Sequence, residues 1–344
     1  MTLPSLLGRL GVPVIQAPMA GVQDDVLALA VARAGGLGSV PCAMLDADAL
    51  RRLLERLAPL ALPLNLNFFC HRMREPDPAA AQRWREALAP YRREWDVAPP
   101  DASTTQGTRR PIDATTVDLL ERYRPEVLSF HFGLPAAPLL RRIKAWGATV
   151  LASATTLEEG RWLEQHGADI VIAQGIEAGG HRGHFLSPDL SLQPDTRTLV
   201  ARLRKALDVP VVAAGGIGDR ADVVTMLEAG ASAVQVGTAY LLCPEATTST
   251  VHRAALRESS RATVVTNLFS GRPARGIVNR LMRELGPASD LPPAFPWAAQ
   301  ELAPLRTRAE AAGCDDFSPL WSGTARCRDR GTAEAVTREL GGMA

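Results

Sequence analysis

Two histidines give the first hint of chemistry. His181 stands in AQGIEAGGHRGHF, behind Gly179 and Gly180, just after an apolar run that closes at Gln174. A histidine flanked by glycines is expected to be exposed rather than packed, and an unperturbed imidazole exchanges protons near neutrality. His184, three residues on, reads equally as a functional or a structural loop residue. His131 leaves the end of another apolar run, LSFHFGLP, between two phenylalanines. A core histidine can sit there, but the end of a strand favours a functional one. A second signature is made of glycine. Residues 209–240, VPVVAAGGIGDRADVVTMLEAGASAVQVGTAY, hold two apolar runs that end in Gly215-Gly216 and Gly237-Thr238. Glycine lets backbone N–H groups approach a phosphate closely, and a following helix N-terminus adds partial positive charge. The two turns together read as a phosphate cradle.

Other strand ends are less specific. In IQAPMAGV, Met19 could lie against a flat heteroaromatic ring or simply fill core. In LNLNFFCH, the Asn67 amide could hydrogen-bond a ring edge or cap a turn. Cys70 has no base and orienting group in pattern and reads as a small apolar filler. His181 and His184 lack a nearby carboxylate or cysteine to complete a ligand set, so no metal site is expected. Neither a GxSxG elbow nor a Walker loop occurs.

These residues need elements to hold them. Short apolar runs alternate with helical segments, the pattern of βα units around a parallel sheet. The runs are Pro13–Ala17, Leu37–Val40, Pro63–Asn67, Val127–Phe130, Val150–Ser153, Asp169–Ala173, Val211–Ala214 and Ala233–Val236. Eight strands are what a closed (β/α)8 TIM barrel requires, and such barrels carry catalytic groups at the C-terminal strand ends and phosphates after strands 7 and 8. Helices Asp24–Ala34, Thr156–His166 and Asp219–Ala229 each run into glycine, the expected stop. Two regions break the rhythm. An insertion at about 70–117 combines an Arg- and Trp-rich helical stretch with a polar loop that lies over the barrel mouth or hangs in solvent. After Tyr240 the chain reads as a mostly helical subdomain, 241–344, packed on a barrel spanning 1–240. Its surfaces could be core or a contact with a second copy.

Composition limits the function classes. The 344 residues are 46% apolar and 22% charged, enough for a large core, with a net charge of +1. That balance argues against a nucleic-acid binder and against a polybasic membrane binder. The first residues lack the charged-then-apolar signature of a secretory signal, and no run is long enough to span a bilayer. The five cysteines form no CxxC pair; they read as reduced thiols of a cytoplasmic protein.

Taken together, IQAPMAGV, LNLNFFCH, SFHFGLP, QGIEAGGHRGHF, AAGGIGD and QVGTAYLLCPEA resemble class I nitronate monooxygenases, formerly called 2-nitropropane dioxygenases, from about Pro13 to Arg280. The resemblance implies a TIM barrel with a smaller helical domain and non-covalently bound FMN. It implies that His181 is the active-site histidine near the flavin N5 and that His131 is the second pocket histidine. Met19, Asn67, Gln174 and Gly180 become flavin contacts, and Gly215, Gly216, Gly237 and Thr238 the FMN phosphate cradle. The implied reaction is oxidative denitrification of an alkyl nitronate by O2 to a carbonyl compound and nitrite. Two rivals share the barrel: an NAD(P)H-dependent FMN reductase of enoyl thioesters or quinones, and a non-catalytic flavin- or phosphate-ligand-binding protein. The family often has a Trp-x-Gly-Gln-like segment near its end. Here LWSGTARC places Thr324 where glutamine is expected, while Trp321, Ser322 and Gly323 still fit a loop that reaches the barrel mouth.

Overall fold

The computed structural model describes residues 5–100, 109–258 and 260–343. Its strands are β1 (Val14–Gln16), β2 (Gly38–Pro41), β3 (Leu64–Phe69), β4 (Val127–His131), β5 (Thr149–Ala154), β6 (Ile170–Gln174), β7 (Gly180–His181), β8 (Val211–Ala214), β9 (Ala233–Val236), β10 (Thr263–Thr266) and β11 (Ala274–Ile277). The helices are α1 (Ser5–Arg9), α2 (Asp25–Arg33), α3 (Ala47–Leu57), α4 (Pro78–Trp95), α5 (Ala114–Tyr123), α6 (Ala137–Ala145), α7 (Leu157–Gln165), α8 (Thr196–Ala206), α9 (Arg220–Glu228), α10 (Thr250–Arg257), α11 (Arg280–Leu285), α12 (Ala298–Ala311) and α13 (Ala333–Gly341).

Eight parallel strands run in the order β1-β9-β8-β6-β5-β4-β3-β2, and a parallel bridge between Ile15 and Leu37 joins the two ends. The barrel therefore closes, as the eight apolar runs predict. Nearly every strand residue is buried because helices cover the outside and side chains fill the inside. Inward-facing Ile15, Leu37, Val127, Leu151, Ile170, Val212 and Ala233 pack with Leu6 and Leu7 of α1. Several of these stand at strand starts, so α1 plugs the N-terminal end and leaves the C-terminal end free for a site. Several helices begin on polar caps: Asp24 accepts from Val26 N, Thr156 from Glu159 N, and Asp219 from Ala221 N and Asp222 N.

A second core lies beside the mouth. Trp84, Leu88 and Tyr91 of α4 pack with Leu281 and Met282 of α11, Leu302 and Leu305 of α12, and Phe317. The Trp84 indole donates to Ala298 O at 3.1 Å, and Arg92 pairs with Glu301 across the same contact. The helical part of the insertion and the chain beyond Tyr240 thus form one unit rather than two decorations. That unit is not mostly helical throughout. β10 and β11 form an antiparallel hairpin whose second strand pairs with β7, Ala274 opposite His181 and Arg275 opposite Gly180. Nor does the chain leave the barrel for good at Tyr240. α13 packs on α2, α9 and β1 as the eighth barrel helix, and Tyr240 Oη meets Thr337 Oγ1 at 2.9 Å. The expected boundary at 240 therefore differs from the observed arrangement, in which residues between β9 and α13 form an excursion from a barrel that closes later. Of the polar insertion loop, 101–108 lie outside the described residues; past them, Ile112 N bonds Phe69 O at 2.8 Å and Arg109 reaches the mouth.

Candidate active site

One cleft opens at the C-terminal end of the strands, about 1320 Å³ counting its open mouth. That is ample for a cofactor with substrate beside it. Met19, Asn67, His131, Gln174, Gly180, His181, Gly215, Gly216, Gly237 and Thr238 all line it, so the structure brings the sequence candidates into one space. His184 is not among them. It is buried, its Nδ1 has no partner among the described residues, and its carbonyl accepts from Arg272.

At one end the site is backbone. Gly215 and Gly216 have φ of +123° and +69°, a region that residues with a Cβ avoid. A Cβ on Gly215 would stand 2.8 Å from both Ala178 N and Thr196 Oγ1. Among the described residues, the N–H groups of Gly216, Gly237 and Thr238 donate to nothing else. The α9 terminus differs from expectation. Its first donors are taken by Asp219, and Asp222 accepts from Gly218 N and Asp219 N, so α9 offers little free positive end. The uncapped turn is the one that starts at Gly237-Thr238. Beside it, Thr238 Oγ1 accepts from Gly323 N at 2.9 Å, which leaves its own proton to donate. The loop 321–325 therefore reaches the mouth as expected: Trp321, Ser322, Gly323 and Ala325 line the cleft, and Thr324 N bonds Glu177 O at 3.0 Å.

At the other end the site is side chains. His181 lies on β7 within an aromatic surround, its ring centroid 5.4 Å from Phe295, 5.6 Å from Trp321 and 6.2 Å from Phe132. Its Nε2 meets Ser270 Oγ at 2.8 Å. The exposed loop histidine expected from the flanking glycines is instead a half-buried one, because the β10–β11 hairpin packs over it. Burial, with the positive charge of Arg109 nearby, holds its pKa well below 6.5, so the ring is neutral near pH 7. His131 donates to or accepts from two partners, Ser153 Oγ at Nδ1 and His181 O at Nε2, both at 3.1 Å. A carbonyl only accepts, so Nε2 carries the proton and Nδ1 takes the Ser153 hydroxyl. Burial pushes the His131 pKa down to about 3. Gln174 grips the same loop, its Nε2 donating to His181 O at 3.0 Å and its Oε1 accepting from Gly183 N at 2.7 Å. Beneath it, fully buried Arg182 donates to Gln193, Gly175 O and Gln174 O, and buried Glu159 accepts from Phe185 N and Leu186 N. Asn67 is braced by Ser129 through its Nδ2, 2.9 Å from the hydroxyl.

A model of the nitronate monooxygenase family matches residues 6–340, nearly the whole described chain. The chain belongs to the nitronate monooxygenase family. A nitronate monooxygenase of Pseudomonas aeruginosa is 42% identical to it over 315 residues, 90% of either chain. The solved structure of a nitroalkane oxidase from Streptomyces ansochromogenes is similar with a TM-score of 0.86 and 36% identity over 98% of both chains. FabK from Thermotoga maritima, at 23% identity and a TM-score of 0.68 over 99% of this chain and 96% of its own, shares the fold.

In this nitronate monooxygenase family member the cleft contains groups that the sequence reading missed. Gln235 lines it with a buried Oε1 that has no partner among the described residues. A glutamine inside the apolar run AVQV, two residues before the cradle glycine, is a signal that could have found it. Arg109 is the one formally charged side chain that lines the cleft among the described residues. Ser153, Ser270 and Phe295 carry no local signal of their role, since each acts on a residue far away in sequence.

Proposed function

We propose that this chain binds FMN in the cleft and catalyses oxidative denitrification of alkyl nitronates by O2 to a carbonyl compound and nitrite. The observation that carries this reading is the coexistence, in one cavity, of a glycine-built anion cradle and a neutral imidazole. The residues fit a flavin mononucleotide. Gly215, Gly216, Gly237 and Thr238 would hold its phosphate, where Cβ atoms have no room at Gly215 and free N–H groups converge. The orphaned Gln235 Oε1 would take a hydroxyl, and Met19, Asn67 and Gly180 would lie along the remaining surface. Bound FMN would supply electron transfer from the nitronate to O2.

The protein's own part is placement and charge. Arg109 makes the cleft attractive to an anion, and the lining contains no carboxylate among the described residues to oppose it. Neutral His181 contacts the nitro end of the substrate and accepts a proton when one is released. His131 and Gln174 hold the His181 backbone rather than exchanging protons themselves, because their polar atoms are already committed. Phe295, Phe132 and Trp321 keep water from the ring.

The test has two arms. Purified protein should be yellow and release FMN on denaturation, and oxygen consumption should follow addition of nitronates. His181→Asn should keep the flavin and lose about 10²–10⁴-fold in turnover. Full activity of that variant, or fast anaerobic bleaching by NADH without nitronate turnover, would overturn the reading.

A further inference from the structure

The hydrogen-bond network around His181 fixes which of its nitrogens can act. Ser270 lies in the turn between β10 and β11, is 2% exposed, and has one proton to give. Its Oγ meets three groups: His181 Nε2 at 2.8 Å, Arg272 O at 3.1 Å and Arg272 N at 3.4 Å. Two arrangements exist. If the hydroxyl donates to His181 Nε2, Arg272 O loses that partner. If the hydroxyl donates to Arg272 O, its lone pairs accept from Arg272 N–H and from a protonated His181 Nε2, and all three bonds form at once. The second arrangement makes one more hydrogen bond around the buried Ser270 hydroxyl, and an unmade bond there is costly.

We propose that Ser270 is a positioning residue that fixes His181 as the Nε2–H tautomer, leaving Nδ1 as the atom that accepts a proton or hydrogen bond in the cleft. The proposal rests on the catalytic role given to His181 above. No described residue bonds Nδ1, while the ring itself lines the cleft. The relay also suits the charged state. When Nδ1 takes a proton, Nε2–H already points at an oxygen, so the imidazolium forms without any rearrangement of Ser270 or Arg272. The proton on Ser270 stays on Arg272 O throughout, and nothing is passed along the chain. Ser270 comes from the excursion beyond the barrel, 89 residues from the histidine it orients.

The experiment uses the full flavin-loaded chain with ¹⁵N-labelled histidine. Long-range proton–nitrogen spectra distinguish protonated from bare ring nitrogens, and the His181→Asn spectrum identifies the His181 signals. The expected wild-type result at pH 7.5 is a protonated Nε2 and a bare Nδ1. Ser270→Ala should give a mixture of the two tautomers and a kcat lower by about five- to tenfold, with KM for a nitronate changed by less than about twofold. Ser270→Thr, which keeps the hydroxyl, should restore both. A wild-type His181 protonated at Nδ1 would overturn the proposal, as would an unchanged tautomer in Ser270→Ala. The wild-type spectrum needs no variant to fold in order to decide. If the tautomer is as stated and His181→Asn is fully active, the catalytic role fails and the tautomer assignment stands.

Discussion

At the end of the cleft proposed to anchor the phosphate, Gly215, Gly216 and Gly237 present bare backbone beside Thr238, so what matters there is chiefly the absence of bulky side chains. At the end proposed to react, His181 is held by Gln174, His131 and Ser270, and His131 in turn by Ser153, so what matters is how each polar atom is committed. The two ends should respond differently to substitution. A backbone site fails when a Cβ intrudes and is insensitive to protonation. A side-chain site fails in steps, one hydrogen bond at a time, and feels acid.

The largest effect should come from Gly215→Val. With φ at +123° and 2.8 Å to Ala178 N, the new side chain has no place without moving backbone. We expect protein that no longer retains FMN, read as the ratio of flavin to protein absorbance after desalting; normal retention would show that the anchor does not depend on bare backbone. His131→Phe comes next. It removes the donor to His181 O while keeping a ring in place, and should lower turnover by about tenfold, the worth of about 1.4 kcal/mol, with flavin retained. A loss equal to that of His181→Asn would mean that His131 handles protons itself.

Acid should act on the buried histidines in and around the end proposed to react. Burial holds His71 and His184 near a pKa of about 4 and His131 at about 3, all below the unfolded value near 6.5. Because the folded values are lowered, the unfolded chain binds protons first. Stability should be complete above about pH 6.5 and decline as pH falls from there toward 4, measured as the urea midpoint. In His131→Phe the decline should be shallower, and an equal slope would remove His131 from the account. The smallest effect should be that of Gly237→Ala. Its Cβ would make ordinary 3.4 Å contacts with Ala17 Cβ and Met19 Sδ, so the fold should be unaffected. Any fall in FMN affinity, titrated by fluorescence, would then measure how closely the ligand itself approaches.

The barrel was legible because its strands are short, mostly apolar runs and several of its helices begin on an Asp or Thr cap and run into glycine. The run Pro63–Asn67 starts one residue before and ends two before β3, Leu64–Phe69, and the other barrel strands are displaced as little. The meeting of the two glycine turns in one cleft was legible because glycine after an apolar run is a local signal. The setting of His181 was not. Its flanking glycines suggest exposure, but they also permit β7 to accept a hairpin from residues 263–277, and that pairing leaves no trace in local periodicity. The same holds for Ser270, one serine among many until the fold brings it to the imidazole. Arg182 is similar: a charged residue beside a candidate catalytic group invites a functional reading, yet it is fully buried and spends its donors on carbonyls.

The late return of α13 has a consequence for biosynthesis. Residues 333–341 pack against both α2 and α9, and Gly341 lies so close to Val12 that an added Cβ would stand 2.2 Å from its methyl. A nascent chain emerging from the ribosome can pair all eight strands with that surface still bare and open to chaperones and proteases until about a hundred further residues have been translated. Covering of α2 thus waits on α13, the last described helix, so the barrel is completed only late in synthesis.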